Sequence, residues 1–288
     1  MSDSHANPVE RPGVAAEPGP MPEASCSACR LLLVEDNPTN QEVALGLLRR
    51  LGFRQVEVVS DGRQALEALE RSDFDLVLMD CQLPELDGYQ CTRLIRQPDT
   101  RVRNHWIPVI AMTAHAMPGD REKCLASGMN DYLAKPVQTG AMKAALEKWL
   151  EVSGPAPPPP GMAPEPVRPE AAPAFDEADL LERVMGDREL ARRVVRVFLA
   201  EAPRQLAALA EAVERADAAR AVLAAHSLKG AAASAGGALV SAMARRLEFL
   251  GRAGDLPAAR ELIPELATRC DDFRAASERL WNQEETGV

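Results

Sequence analysis

The N-terminal half of the chain alternates short apolar runs with stretches of helical periodicity. Runs with the length and composition of buried strands cover residues 30–35, 55–60, 75–80, 107–113 and 131–134. Amphipathic stretches separate them, near residues 38–51, 62–71, 87–96, 118–127 and 138–150. Apolar strands that alternate with helices predict an α/β doubly wound fold, in which helices cover both faces of a five-stranded parallel sheet.

The C-terminal part has helical periodicity throughout, from about residue 176 to residue 281. Breaks in the pattern are predicted at Gly186-Asp187, Pro203, Gly236-Gly237 and Gly254-Asp255. Amphipathic helices bury their apolar sides against one another. This part is therefore predicted to be all-α, an antiparallel bundle of four or five helices.

Two proline-rich segments divide the chain. Residues 1–29 contain almost no large apolar side chains, so we expect a disordered tail. Residues 151–174 include four consecutive prolines from Pro157 to Pro160 and predict a semi-rigid linker, whose residues 153–173 could span roughly 65 Å. The predicted domains are residues 30–150 and 175–285, and a linker of this reach would allow them to move independently.

Composition narrows the possible classes of function. The 288 residues carry a net charge of −10 without a basic segment, so nucleic acid is not an expected partner. No apolar run reaches the roughly twenty residues that span a bilayer, and no signal peptide is recognisable, so we expect a cytoplasmic protein without membrane insertion. Six irregularly spaced cysteines predict reduced thiols. The CxxC of Cys26 and Cys29 has no second pair, which leaves a metal or redox role there as a minor alternative.

Three acidic residues stand at the predicted ends of two strands. The first strand ends in Glu35 and Asp36, and the third ends in Asp80. In a doubly wound sheet of order 2-1-3-4-5 these strands are neighbours, so the three carboxylates converge. Clustered carboxylates stay ionised together only when a cation binds. Mg²⁺, which prefers hard oxygen ligands, is the predicted ion.

Two further strand ends supply Thr113 and Lys135. A hydroxyl and an ammonium beside a metal and a carboxylate can hold the oxygens of a phosphoryl group. Taken singly, these residues also fit simpler roles, with Asp36 and Asp80 as helix N-caps, Thr113 in a turn and Lys135 as a solvated charge. Their joint placement at strand ends favours a phosphate site. A haloacid-type phosphatase is disfavoured, because Gln82 stands where that class needs a second aspartate.

The first domain resembles the receiver domains of response regulators. The blocks VEDNPTNQEV, LVLMDCQLPELDGYQ, AMTAH and YLAKPV are similar to the four receiver signatures, in the same order. The first block is especially similar to receivers attached to hybrid histidine kinases. The resemblance implies a flavodoxin-like sheet with Asp80 as the phosphoacceptor. It also implies that Mg²⁺ is held by Asp36, Asp80, Glu35 through water, and the backbone carbonyl of Gln82.

The same resemblance assigns roles to the residues at the other strand ends. Thr113 and Lys135 would contact the phosphoryl group. The Lys135–Pro136 peptide bond is a candidate for the cis form, as in the family. Tyr132 would be the aromatic residue that changes orientation on activation, with capping of the core by its ring as the alternative role.

One histidine has a suggestive helical setting. Along residues 218–235 the face centred on Leu228 is rich in alanine and predicts the buried side of a helix. His226 lies about 160° from Leu228 around the helix, so it is predicted to point outward. Gly230 and Ala233 would leave the imidazole accessible, with Lys229 beside it at i+3. A solitary helical histidine is also commonly an ordinary surface residue or a core residue whose hydrogen bonds are satisfied.

The sequence HSLKGAAASAGG resembles the active-site helix of histidine phosphotransfer (HPt) domains, within a likeness that extends from Phe175 to about Leu280. The resemblance implies a four-helix bundle in which His226 is phosphorylated and Lys229 and Gly230 support the transfer.

Together the two resemblances imply a two-component phosphorelay protein that accepts a phosphoryl group on Asp80 and relays it through His226. No nucleotide-binding motif is recognisable, so we expect a relay intermediate and not an autonomous enzyme. The expected phosphodonor is a histidine kinase or hybrid kinase, and the expected acceptor is a downstream response regulator or HPt protein. The alternative is a regulatory binding module that is switched by phosphorylation of Asp80 and does not use His226 for relay.

Overall fold

A computed structural model of the chain describes residues 27–114, 118–150 and 173–285. Cys26, most of the predicted tail and nearly all of the predicted linker lie outside the described residues.

The sheet domain contains five parallel strands in the order β2-β1-β3-β4-β5. The strands are β1 (Arg30–Val34), β2 (Gln55–Val59), β3 (Leu76–Asp80), β4 (Val109–Thr113) and β5 (Asp131–Ala134). This order confirms the predicted doubly wound fold and makes β1 and β3 neighbours.

Five helices cover the two faces of the sheet: α1 (Pro38–Arg50), α2 (Gly62–Arg71), α3 (Gly88–Arg96), α4 (Pro118–Ala126) and α5 (Thr139–Leu150). Successive strand residues point to opposite faces. Leu31 and Leu33 therefore belong to the core under α1 and α5, whereas Leu32 and Val34 belong to the core under α2, α3 and α4. The loop after β1 enters α1 through Asn37, whose side chain accepts hydrogen bonds from the first backbone N–H groups of the helix.

The helical domain consists of α6 (Glu177–Arg183), α7 (Arg188–Glu214), α8 (Ala218–Ser234), α9 (Ala238–Ala253) and α10 (Leu256–Glu285). These helices confirm the predicted bundle. Its centre holds Phe198 and Phe273, which are fully buried and meet edge to face with ring centroids 5.0 Å apart.

One helix break was predicted in the wrong place. Pro203 lies inside α7, which continues to Glu214. A proline removes only one backbone donor, and buried residues on either side of it, such as Phe198 and Leu209, hold the helix in place. The chain turns instead at Ala216, which adopts a positive φ of 56°, and Asp217 caps α8.

The two domains are in contact, although the predicted linker is long enough to let them separate. Helix α1 of the sheet domain packs against α7 and α8 of the helical domain. Apolar side chains of the two domains form one continuous cluster there, which includes Leu47 and Leu190. Composition of the linker predicts its reach but carries no information about complementary surfaces on the domains that it joins. Across the described ranges, no helix has both the length and the apolar content needed to cross a bilayer.

Candidate functional site

The carboxyl ends of β1 and β3 bring three acidic side chains together. Carboxylate oxygens of Glu35, Asp36 and Asp80 all lie within 4.8 Å of one another. Glu35 and Asp80 are buried, whereas Asp36 is half-buried. A compact set of carboxylate oxygens is the donor type that a hard divalent cation binds.

Lys135 joins two members of this cluster. Its Nζ donates to Oε2 of Glu35 at 2.6 Å and to Oδ2 of Asp80 at 2.7 Å. The Lys135–Pro136 peptide bond after β5 is cis, as predicted.

Burial is the largest cause of the raised pKa values in the acidic cluster. Burial raises the pKa of Glu35 to about 8, with the charge of Asp80 adding to the effect and Lys135 opposing it. Burial and the charge of Asp80 raise the pKa of Asp36 to about 6. Burial alone would lower the pKa of Lys135, but the carboxylates of Asp80 and Glu35 outweigh it and raise that pKa. A bound cation would restore the ionised form of both acids.

Backbone groups at neighbouring strand ends position the remaining residues. The N–H of Gln82 donates to Oδ1 of Asp80 at 3.0 Å. Thr113 ends β4, the strand next to β3, and is buried. Its carbonyl accepts from the N–H of Lys135 at 2.7 Å.

His226 is only 7% exposed, so the prediction of an outward-facing imidazole is wrong. The prediction considered α8 alone, whereas two other elements enclose the ring. Glu248 on α9 accepts from Nδ1 of His226 at 3.0 Å, and the sheet domain lies across the cavity that His226 lines.

Glu248, which was not predicted from the sequence, organises the surroundings of the histidine. Its Oε2 accepts from Nζ of Lys229 at 2.6 Å, and Arg252 donates to its Oε1. A carboxylate can only accept, so the 3.0 Å contact with Glu248 requires a proton on Nδ1 of His226 and leaves the lone pair of the neutral ring on Nε2. Nζ of Lys229 lies 3.3 Å from the same Nδ1, but its hydrogen bond to Glu248, at 2.6 Å, is the shorter of its two contacts. The signal for Glu248 was a charged residue beside Leu247 on the apolar side of its helix.

This network also shifts the pKa values of its members. Burial alone would raise the pKa of Glu248, but its hydrogen bonds to His226 and Lys229 outweigh burial and lower that pKa to about 2. Burial lowers the pKa of His226, with Glu248 opposing the shift. Burial likewise lowers the pKa of Lys229.

A cavity of about 50 Å³ lies between the two domains and links the two sites. Its lining comes from the sheet domain (Glu35, Asp36, Asn37, Asn40, Asp80, Gln82, Pro84 and Lys135) and from α8 (Leu223, His226, Ser227 and Gly230). The carboxylate at the end of β3 and the imidazole on α8 therefore face the same small space.

Two family models match the chain. Residues 31–147 match the response regulator receiver domain, and residues 193–276 match the Hpt domain. Among curated proteins, the sensor protein GacS of Pseudomonas syringae pv. syringae is 40% identical over 138 residues, which are 47% of this chain and 15% of that protein. The histidine-protein kinase BarA of Escherichia coli K12 is 39% identical over 135 residues, which are 47% of this chain and 14% of that protein. The chain thus spans a small part of these relatives.

Solved structures similar to this chain include receiver domains. The receiver domain of the sensor histidine kinase PA1611 from Pseudomonas aeruginosa PAO1, described with a magnesium ion in its active-site cleft, is 50% identical. The match covers 43% of this chain and 98% of that chain, with a TM-score of 0.39. By the family matches, residues 31–147 belong to the response regulator receiver family and residues 193–276 of the same chain belong to the Hpt family.

Proposed function

We propose that the chain is a phosphorelay intermediate in which Asp80 accepts a phosphoryl group and His226 carries it onward. The observation behind this proposal is the cavity that both side chains line. Phosphoryl transfer needs mainly positioning and neutralisation of charge, and a carboxylate facing an imidazole across a small cavity meets the first need. The receiver and Hpt matches support the same reading.

Mg²⁺ is the proposed ion of the acidic cluster. Its ligands would be Asp36, Asp80, Glu35 through water, and the backbone carbonyl of Gln82. The hard oxygen donors of the cluster support this assignment. When bound, the ion would neutralise charge on the phosphoryl oxygens.

Other side chains would hold the phosphoryl group or orient its acceptors. Lys135 already lies between Glu35 and Asp80, so its ammonium can contact a phosphoryl oxygen on Asp80. Thr113 would supply a hydroxyl from the end of β4. On α8, Lys229 and Gly230 would support the transfer, Lys229 by fixing Glu248 behind the imidazole.

The phosphoryl group would come from a partner, a histidine kinase or hybrid kinase. From His226 it would pass to a downstream response regulator, or it would return to a receiver by the reverse reaction. In this scheme the receiver promotes only its own phosphoryl transfer, and the chain acts as an intermediate and not as an autonomous kinase.

Labelling with a small phosphodonor tests the proposal. The 288-residue chain incubated with ³²P-acetyl phosphate and Mg²⁺ should acquire base-labile label on Asp80 and acid-labile label on His226. Asp80→Asn should lose both labels, and His226→Gln should keep only the first. Asp73→Asn removes an exposed carboxylate of the same domain and is the matched control.

Persistent labelling of the Asp80→Asn protein would refute Asp80 as the acceptor. Label confined to Asp80 in the unmodified chain would favour the alternative, a phosphorylation-switched binding module.

A further inference from the structure

Two ion pairs join α1 of the sheet domain to α7 of the helical domain. Nε of Arg193 donates to Oε1 of Glu42 at 2.9 Å. Nη1 of Arg50 donates to Oδ2 of Asp187, the N-cap of α7, at 2.8 Å. In each helix the acidic residue precedes the basic residue in the sequence. Opposite charges therefore face each other only when the two helices run antiparallel. A parallel arrangement would place like charges together, so the pairs select one orientation.

Gly46 of α1 lies between these ion pairs, and the side chain of Leu190 from α7 packs against it. A Cβ added to Gly46 would lie 2.4 Å from Cδ2 of Leu190, closer than side chains approach each other. Leu190 is 1% exposed, so the contact buries it almost completely. Leu190 of the helical domain therefore fills the space that a side chain at position 46 of α1 would occupy, so the two surfaces are complementary in shape.

The same contact surface continues to the acidic cluster. Nδ2 of Asn37 donates to Oγ of Ser227 at 2.9 Å, and Oγ of Ser234 donates to Oδ1 of Asn40 at 2.8 Å. Asn40 also donates from Nδ2 to Oε1 of Glu35 at 2.9 Å. Asn40 thus links α8 directly to a carboxylate of the acidic cluster.

Docking in this arrangement covers the histidine. His226 lines the cavity opposite Asp80 and is 7% exposed. A receiver on another molecule that docked in the same way would need the surface of α7 and α8 that α1 occupies. The two partners therefore exclude each other.

We infer that the docked receiver of this chain keeps the receivers of other molecules away from His226, so that His226 exchanges its phosphoryl group with a second receiver only when the two domains separate. This inference rests on the proposed function and names the regulation of the same site. Because the two domains are tethered, the effective concentration of each domain near the other is of order millimolar. Transfer within one chain therefore outpaces transfer between chains in dilute solution.

The transfer step is a direct displacement between the two side chains. The lone pair on Nε2 of His226 attacks the phosphorus of phosphorylated Asp80. A P–N bond forms as the P–O bond to Asp80 breaks, and Asp80 leaves as a carboxylate with the electron pair. The proton on Nδ1 stays in its hydrogen bond to Glu248.

Two labelling experiments with the full chain, ³²P-acetyl phosphate and Mg²⁺ test the inference. The rate at which label moves from Asp80 to His226 should not depend on protein concentration. A mixture of Asp80→Asn and His226→Gln chains should label His226 about tenfold or more slowly than the unmodified protein. A rate proportional to concentration, or a mixture as fast as the unmodified protein, would overturn the inference. Failure to label Asp80 at all would instead count against the proposed function.

Opening the interface provides the sharper test. Arg50→Glu should slow transfer within a chain roughly threefold or more, because it places two acids together, and adding Asp187→Arg should restore the rate. Arg50→Glu should also be combined with Asp80→Asn in one chain, which is then labelled by His226→Gln chains. This labelling should be faster than that of the Asp80→Asn chain alone, because the substitution uncovers His226. Asp187 of the substituted chain can still pair with Arg50 of the His226→Gln chain. Arg49→Glu makes the same charge change at an exposed neighbouring position and should alter neither rate. If Arg50→Glu slowed both reactions or changed neither, the inference would fail.

Discussion

At the scale of single residues, Asp80 and His226 line the same cavity from opposite domains. Asp80 is held by the N–H of Gln82 and by Lys135, so its oxygens are already oriented. His226 is held from behind by Glu248, which fixes the proton on Nδ1. Each acceptor is thus positioned by its own domain before any phosphoryl group arrives.

Glu248→Gln tests the network behind His226 through its dependence on pH. The pKa of Glu248 in the folded protein, about 2, lies below its ordinary value of 4.5, so its stabilising contribution is full above about pH 4.5 and is lost as the pH falls toward 2. At pH 7 the substitution should lower the free energy of unfolding by up to about 3 kcal/mol. At pH 3 the difference should shrink by about half.

Urea unfolding of the full chain at both pH values would measure this difference, with Glu261→Gln on the exposed surface as the control. A difference of equal size at pH 7 and pH 3 would show that Glu248 stabilises the bundle without its charge.

The sequence predicted some of these residues and not others. The acidic cluster and Lys135 could be anticipated, because each follows a strand and the carboxyl ends of parallel strands meet at one edge. Glu248 could not, because its pairing with His226, 22 residues earlier, depends on how α8 packs against α9. The burial of His226 was missed for the same reason.

At the scale of secondary-structure elements, α1 has two roles. It begins at Asn37 beside the acidic cluster, and its outer side carries the contact with α7. The strands and most helix ends followed from the apolar pattern and from turn residues, whereas the strand order followed from the doubly wound fold class. The wrong break at Pro203 and the missed turn at Ala216 show that burial of an apolar face outweighs local preference.

Gly46→Ala tests the fit between α1 and α7. Alanine favours a helix by up to about 1 kcal/mol over glycine, so α1 itself should not be weakened. The new methyl group would collide with Leu190, so docking should loosen and amide hydrogen exchange should rise in the N-terminal turns of α7.

Gly140→Ala in α5 is the matched control, because a Cβ there meets nothing within 4 Å. Unchanged exchange in α7 of the Gly46→Ala protein, or an equal rise in the Gly140→Ala protein, would show that the glycine is not needed for docking.

At the scale of the whole molecule, two domains from different families meet with their phosphoacceptor residues facing one cavity. The sequence indicated both domains and the reach of the segment between them. Their docking could not be read from it, because the pairing of Arg50 with Asp187 joins residues 137 positions apart on two separately folded surfaces. The local pattern of apolar and polar residues does not show which surface residues of two separately folded domains will pair.

The order in which Asp80 and His226 are phosphorylated distinguishes a relay through Asp80 from direct labelling of His226. Time-resolved ³¹P NMR of the full chain, after addition of acetyl phosphate and Mg²⁺, would follow the acyl phosphate and phosphoramidate signals separately. The acyl phosphate of Asp80 should appear first, and the phosphoramidate of His226 should grow as it declines. A phosphoramidate signal of undiminished size in the Asp80→Asn protein would contradict a relay through Asp80.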